Sequence, residues 1–206
     1  MTPFVIETPR LIIRAFRPDD LHAIHRILDL TFGNGSKIDD EDALIERREW
    51  LEWSRLSVEW LPQMFQPPYG DRAVVLKGSH EVIGAVGLVP CFDVFEQIPG
   101  LSRGEPPSAQ RVTEMGLFWA IDPDRQRQGY ATEAAQALID FAFQQLRVKR
   151  LIATTEYDNA ASIGVMRKLG MTIAQNPLPE PHWLQVVGIL DHPWRGVLIT
   201  DQNERT

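Results

Sequence analysis

The chain has 206 residues, of which 44% are hydrophobic and 24% charged, and its formal net charge is -7. That length and composition suit a soluble globular protein with one large domain or two small ones. The acidic balance excludes nucleic acid as the main partner, because phosphate backbones demand a basic face. The single cysteine, Cys91, excludes an intrachain disulfide and fits a reducing compartment. No apolar run reaches the roughly 18 residues of a membrane helix. The opening "TPFVIETPRLIIRAF" lacks the basic start and long apolar core of a signal peptide. A cytoplasmic protein with no membrane partner is expected.

In chain order, "RLIIRAF" (Arg10 to Phe16) reads as the first strand. Asp19 or Asp20 is placed to cap the helix "LHAIHRILDL", which "GNGSK" then breaks. "DDEDALIERREWLEWSRLSVEWL" reads as a long helix with acids in its first turn, where they suit the helix dipole. Trp50 and Trp53 share one of its faces, while Leu44, Leu51 and Val58 form a second apolar stripe. That second face predicts more core, an acceptor-pocket wall or a homodimer contact. "RAVVLK" and "EVIGAVGLV" form a hairpin around "GSH". A loop is expected from Pro90 to about Gln110, long enough to act as a lid. Then come a strand from Glu114 to Ile121, the loop "PDRQRQGYA", a helix from Thr132 to Leu146, the strand "RLIATT" and the helix "SIGVMRKL". Gly170 is a left-handed C-cap candidate for that last helix. "HWLQVVGILD" and "WRGVLI" predict two final strands. No repeat or linker divides the chain, so one α/β domain over residues 1–206, built around a mixed sheet, is expected.

The stretch "PDRQRQGYATEAAQ" joins a buried strand to an apolar helix through polar residues and a glycine. A helix N-terminus has N–H groups without intrahelical partners and a partial positive charge, which makes it an anion site. Gly129 allows a positive φ or close backbone approach, Ala131 leaves the helix mouth uncovered, and Arg125 and Arg127 add charge at the rim. An ordinary surface turn containing arginines is the alternative. The Walker and dinucleotide glycine patterns are both absent.

Gln126-Arg127-Gln128-Gly129-Tyr130-Ala131 resembles the Gln/Arg-x-x-Gly-x-Gly/Ala motif of the GNAT superfamily of N-acyltransferases. "ETPRLIIRAFRPDDL", "GYATEA" and "NAASIGVMRKLGM" are similar to three further segments of its RimJ/RimL-type branch, in the same order. The resemblance runs from about Glu7 to Met171. It implies a mostly antiparallel sheet of about seven strands, with the fourth and fifth splayed, flanked by about four helices. It also implies acetyl-CoA as co-substrate. The pyrophosphate would lie on backbone N–H groups around Arg127, Gln128, Gly129, Ala131 and Thr132, with Gln126 opening the motif. The pantetheine arm would pair with the backbone of Trp119, Ala120 and Ile121, and Asn159 would hydrogen-bond it. Arg167 and Lys168 are candidates for the adenosine 3′-phosphate, or are solvated helix residues.

Acetyl transfer to an amine needs proximity, loss of an amine proton, donors for the oxyanion and a stabilised leaving thiolate. Glu114 lies ~23 Å of extended strand from Ile121, far from the phosphates, and is the expected base. Its alternative is a strand-end residue in solvent or paired with Arg111, and a base acting through a bound water would also serve. The oxyanion would meet a main-chain N–H near Leu117 or Phe118. At the position where many family members carry an acidic tyrosine this chain has Met166, so Ser162, or else Tyr157, is the expected acid. The acceptor is expected to be a primary amine, either a protein N-terminus or a small amine such as an amino acid, polyamine or antibiotic. The Met166 departure leaves a non-catalytic acyl-CoA-binding protein as the alternative. No metal site is expected: His22 and His25 have no acid or cysteine at ligand spacing, and Asp39 to Asp42 read as a helix start. Glu133 reads as a helix-dipole or structural partner, and Cys91 as a buried strand-end residue.

Overall fold

The computed structural model describes residues 4–33, 35–102 and 109–193. Its strands are β1 (Val5–Glu7), β2 (Leu11–Arg14), β3 (Gly70–Leu76), β4 (Val82–Asp93), β5 (Val112–Ile121), β6 (Arg150–Thr155), β7 (Thr172–Gln175) and β8 (Val186–Asp191). The helices are α1 (Leu21–Phe32), α2 (Glu41–Gln63), α3 (Tyr130–Gln144) and α4 (Ala160–Lys168). All eight strands form one sheet in the order β1-β2-β3-β4-β5-β6-β8-β7. Every pairing is antiparallel except that of β5 with β6.

The period-two pattern of the strands sorts the core into two faces. On one, Leu11, Ile13, Val74, Leu88, Leu117, Ile121, Leu151 and Ala153 pack against α3 and against Met166 and Leu169 at the end of α4. α3 presents Ala134, Ala135, Leu138, Ile139 and Ala142, and its alanines let the helix lie close to the sheet. On the other face, Ala73, Val75, Ala85 and Ala120 meet Leu21, Ile24, Ile27 and Leu28 of α1 and Leu51 of α2. Farther along that face, Ile152, Val187 and Ile189 are covered by Phe95, Ile98 and Leu101.

Several expected boundaries move. Eight strands are described where about seven were expected: β1, before the expected first strand, and β7, Thr172–Gln175, are additional, while the expected strand "WRGVLI" lies outside the described residues. Asp20 does not cap α1 with its side chain; its carboxylate takes the Arg14 guanidinium at 2.7 and 2.9 Å and the Arg17 N–H at 2.7 Å. Asp40 does cap α2, accepting from the N–H groups of Asp42 and Ala43. The expected Pro90–Gln110 loop begins as strand: β4 continues to Asp93, paired with Val112, and the segment after it is pinned by buried Phe95, Ile98 and Leu101, while residues 103–108 of the expected loop lie outside the described residues. β3 pairs no farther than Leu88, so one edge of β4 is open at Pro90 and the missing proline N–H breaks no ladder bond. His182–Leu184 is a 3-10 turn rather than strand, the last two described strands are β7 and β8, and "WRGVLI" lies outside the described residues. Gly170 has φ 76°, with Gly170 N–H on Arg167 O and Met171 N–H on Met166 O, the Schellman end its position predicts.

Candidate active site

β5 and β6 touch at a single register pair, Gly116 with Ile152. Beyond it β5 runs on to Ile121 and β6 to Thr155 with no pairing between them, so the sheet is split there. These are the fourth and fifth strands of the expected order, shifted by one in number because of β1. Trp119, Ala120 and Ile121 pair with Val86, Ala85 and Gly84 of β4, and their other edge faces the split.

The polar loop crosses the mouth of this split. Arg127 has φ 60° and Gly129 has φ 84°, so two left-handed residues alternate just before α3. Such alternation turns successive N–H groups inward to make a concave anion nest. A non-glycine residue at positive φ is strained, and such strain concentrates at functional sites. The first α3 donor with a main-chain acceptor is the Glu133 N–H, on Gly129 O. Among the described residues, no hydrogen bond from the N–H groups of Arg127 through Thr132 occurs, so the nest and the helix dipole face the same space.

The loop is held from behind. Arg10 donates from its guanidinium to Gln128 O at 2.9 Å and to Glu133 Oε2 at 2.6 Å, and lies 4.4 Å from the Tyr130 ring centroid. Glu133 also accepts from the Thr8 hydroxyl and the Arg10 main-chain N–H. Burial pushes the Glu133 carboxyl up, but these donors outweigh it and hold it below the usual range. Glu133 is therefore a structural partner. The Gln126 side chain turns inward and donates to Ile121 O at 3.0 Å, and Arg125 pairs with Glu81 at 2.8 Å. Both brace the loop.

At the other lip of the split, Asn159 caps α4 by accepting the Ser162 N–H at 3.0 Å. Ser162 is half-buried in the first turn of α4, and Met166 is fully buried in the core. The Tyr157 hydroxyl donates to Asn176 O at 2.8 Å, so its proton is engaged away from the split. Arg167 and Lys168 are exposed on the last turn of α4.

The face of β5 opposite α3 carries Glu114, Gly116, Phe118 and Ala120. Glu114 pairs with Arg150 at 3.2 Å, not with Arg111, which lies 3.7 Å from Asp93. Arg150 also holds Asp191 at 2.8 Å. Gly116 leaves room for the Cys91 thiol, which would crowd a Cβ there, and burial pushes that thiol up. Sequence reasoning passed over Asp71 of β3. Burial pushes its carboxyl up to about 6, against the opposing pull of Arg72, the Trp50 indole and Arg47. The only sequence signal for it is an acid at the start of an apolar strand, opposite the glycine of "AVGLV".

On α2, Trp50 packs edge-on to Phe16 at 5.3 Å, while Trp53 and Trp60 are 60% and 54% exposed. The face expected for Trp50 and Trp53 is thus divided. No helix among the described residues is long and apolar enough to cross a membrane.

Comparison with known proteins agrees with this geometry. Residues 10–172 match the family model described as "Acetyltransferase (GNAT) domain". The chain is 43% identical over 55 residues to the "Uncharacterized N-acetyltransferase YnaD" of Bacillus subtilis (strain 168), across 27% of this chain and 32% of that one. It is 29% identical over 113 residues to the "Uncharacterized N-acetyltransferase YjdG" of the same organism, across 55% and 57%. The matched segments thus span less than two thirds of both relatives. Among solved structures, RimL, a ribosomal L7/L12 alpha-N-protein acetyltransferase in complex with coenzyme A, aligns with TM-score 0.58 over 90% of this chain and 96% of that one. At 15% identity, that likeness is one of fold.

Proposed function

We propose that this chain, which belongs to the GNAT acetyltransferase family, transfers an acetyl group from acetyl-CoA to a primary amine by direct attack in a ternary complex. The observation that carries the proposal is the pair of left-handed residues, Arg127 and Gly129, opening α3 beside a split sheet. A pyrophosphate fits a nest of free N–H groups at a helix N-terminus. From there an extended arm can run along Trp119 to Ile121 and deliver its thioester near Gly116. Asn159 would hold the arm through its side-chain amide, since its oxygen is engaged by the α4 cap.

Transfer then needs donors and an acid. An N–H of Leu117 or Phe118 on the β6 side of β5 would meet the oxyanion. Ser162, with no hydrogen bond from its hydroxyl among the described residues, would donate to the leaving sulfur. Glu114, paired with Arg150 at 3.2 Å, would lie on the acceptor face and meet a cationic amine. The acceptor is a protein N-terminus, in keeping with the RimL-like fold, or a small amine. A homodimer would form through the exposed Trp53 and Trp60.

One observation favours a second reading. Met166 is buried where an acidic tyrosine would stand, which suits a protein that binds acyl-CoA without turning it over. Incubation with acetyl-CoA and a panel of N-terminal peptides, amino acids, polyamines and aminoglycosides separates the two. Thiol release together with an acetylated amine in the mass spectrum is the expected result. Tight acetyl-CoA binding with no product from any amine would favour the second reading.

A further inference from the structure

Two carboxylates lie on the α1/α2 face near the point where β5 and β6 part. Glu114 sits at the lip with Arg150 against it. The other is Asp71. Its Cα pairs with Gly87, and Gly87 pairs with Phe118 of β5, so the three stand in one row across the sheet. A Cβ on Gly87 would overlap Asp71 Oδ1, so the carboxylate lies across β4 in the space a side chain would fill. β4 and β5 are one strand spacing apart, about 4.8 Å. Oδ1 is therefore close to the strand on which the thioester would arrive.

That oxygen is buried and accepts no hydrogen bond among the described residues. An orphaned acceptor of this kind is costly unless a ligand supplies a donor. Phe32 stacks on Phe118 at 6.0 Å and 29°, so aromatic faces close the row beside it. A donor that carries positive charge satisfies the carboxylate and suits the aromatic faces together. The charges acting on Asp71 are Arg72 on its own strand and Arg47 on α2; the cleft that Arg47 lines also carries Glu46 of α2, His25 and Asp29 of α1 and Lys37 between the two helices, while Gly87 and Phe118 contribute none. Arg47 lies over the Trp50 ring at 5.1 Å, where it lines the cleft between α1 and α2.

We propose that Asp71 holds the ammonium group of the acceptor and takes its proton, which makes Asp71 the base for acetyl transfer. The assignment rests on the acetyltransferase reading above. In the step, an N–H bond of the ammonium breaks and its proton passes to Asp71. The freed lone pair forms the N–C bond to the acetyl carbonyl, and the C–S bond breaks. The thiolate takes the Ser162 hydroxyl proton and leaves as CoA thiol, the second proton of the nitrogen restores that hydroxyl, and Asp71 returns its proton to water. Burial suits Asp71 to this exchange, because a carboxyl pushed up to about 6 gives its proton back near neutral pH.

The test uses Asp71→Asn, Gly87→Ala and Glu114→Gln beside the wild type. Acetyl-CoA affinity is measured by calorimetry, and kcat/KM against the best amine of the panel is measured across pH. The wild type is expected to gain kcat/KM as pH rises through about 6. Asp71→Asn is expected to bind acetyl-CoA normally, lose roughly 100-fold or more in kcat/KM and lack that limb. Gly87→Ala leaves Asp71 in the chain but fills the carboxylate's place, so it is expected to lose rate too, and it decides the matter if Asp71→Asn does not fold. Glu114→Gln is expected to keep the limb. Asp71→Asn or Gly87→Ala with the wild-type rate and limb would overturn the assignment and leave the acetyltransferase reading standing. A wild type that binds acetyl-CoA but acetylates no amine would overturn both.

Discussion

Arg10 and Glu133, 123 positions apart, are joined twice: the Arg10 main-chain N–H and its guanidinium both donate to the Glu133 carboxylate, at 2.9 and 2.6 Å. The same guanidinium reaches Gln128 O, so the N-terminal hairpin is tied to the loop that opens α3. Glu133→Ala strands these donors and should cost ~1–3 kcal/mol, while also weakening acetyl-CoA binding through a looser loop. The Glu133 carboxyl is held below its ordinary value. Its stabilisation is therefore present above the unfolded-state pKa and lost as pH falls through the folded one. Urea denaturation of both proteins should show a gap at pH 7 that shrinks in acid.

Arg127 makes a different prediction, because its φ of 60° is what the nest requires and its side chain is exposed. Arg127→Gly relieves a left-handed strain of about 1 kcal/mol, offset in part by added freedom of the unfolded chain. Acetyl-CoA affinity should fall only by the loss of one exposed charge, because main-chain N–H groups form the cradle. A calorimetric Kd that collapses in this variant would show that the side chain, not the backbone, makes the site.

Asp71 predicts a pH effect of the opposite sign. Its carboxyl is raised from 3.8 to about 6, mainly by burial. Between those values the folded state holds more proton than the unfolded state, so stability falls as pH rises through the window and levels off above it. Asp71→Asn removes this penalty and should be more stable than the wild type above pH 6, by as much as ~3 kcal/mol. The difference should vanish toward pH 4. Denaturant midpoints at a series of pH values check it.

Two glycines separate rigid from yielding neighbours. A Cβ at Gly84 would overlap the carbonyl oxygen of Ala120, which is backbone. A Cβ at Gly188 would meet the thioether sulfurs of Met171 and Met166 at 2.9 and 3.0 Å, and those can move. Gly84→Ala should cost about 2–3 kcal/mol and Gly188→Ala less. Equal thermal shifts for the pair would contradict this account of the packing.

Much of this site was legible in the chain because its signals are local. "RQRQGYA" carries the glycine of the nest, and the aromatic and β-branched run "EMGLFWAI" marks the strand that leads to it. The unread parts depend on distant partners. β1 and β7 have only three and four residues, too few for a period to register. Pro90 suggested a loop because sequence alone does not show that the pairing of β3 with β4 stops at Leu88. Asp71 was passed over because its surroundings, Gly87 on the next strand and Trp50 on a helix, are distant in sequence. Glu114 was legible as a strand-end carboxylate, but its partner Arg150 arrives from β6, across the split sheet.

The proposed acetyltransferase depends first on the N–H groups between Arg127 and Thr132, which would cradle the pyrophosphate of acetyl-CoA. Calorimetric titration of acetyl-CoA into the wild type and into Gly129→Glu tests it most directly, with dephospho-CoA reporting on contacts to the 3′-phosphate. Micromolar binding by the wild type is expected, lost in Gly129→Glu, where a side chain strains the φ of 84° and its Cβ comes 3.4 Å from the Arg10 guanidinium that braces the loop. Failure of the folded wild type to bind acetyl-CoA, or undiminished binding by Gly129→Glu, would contradict it.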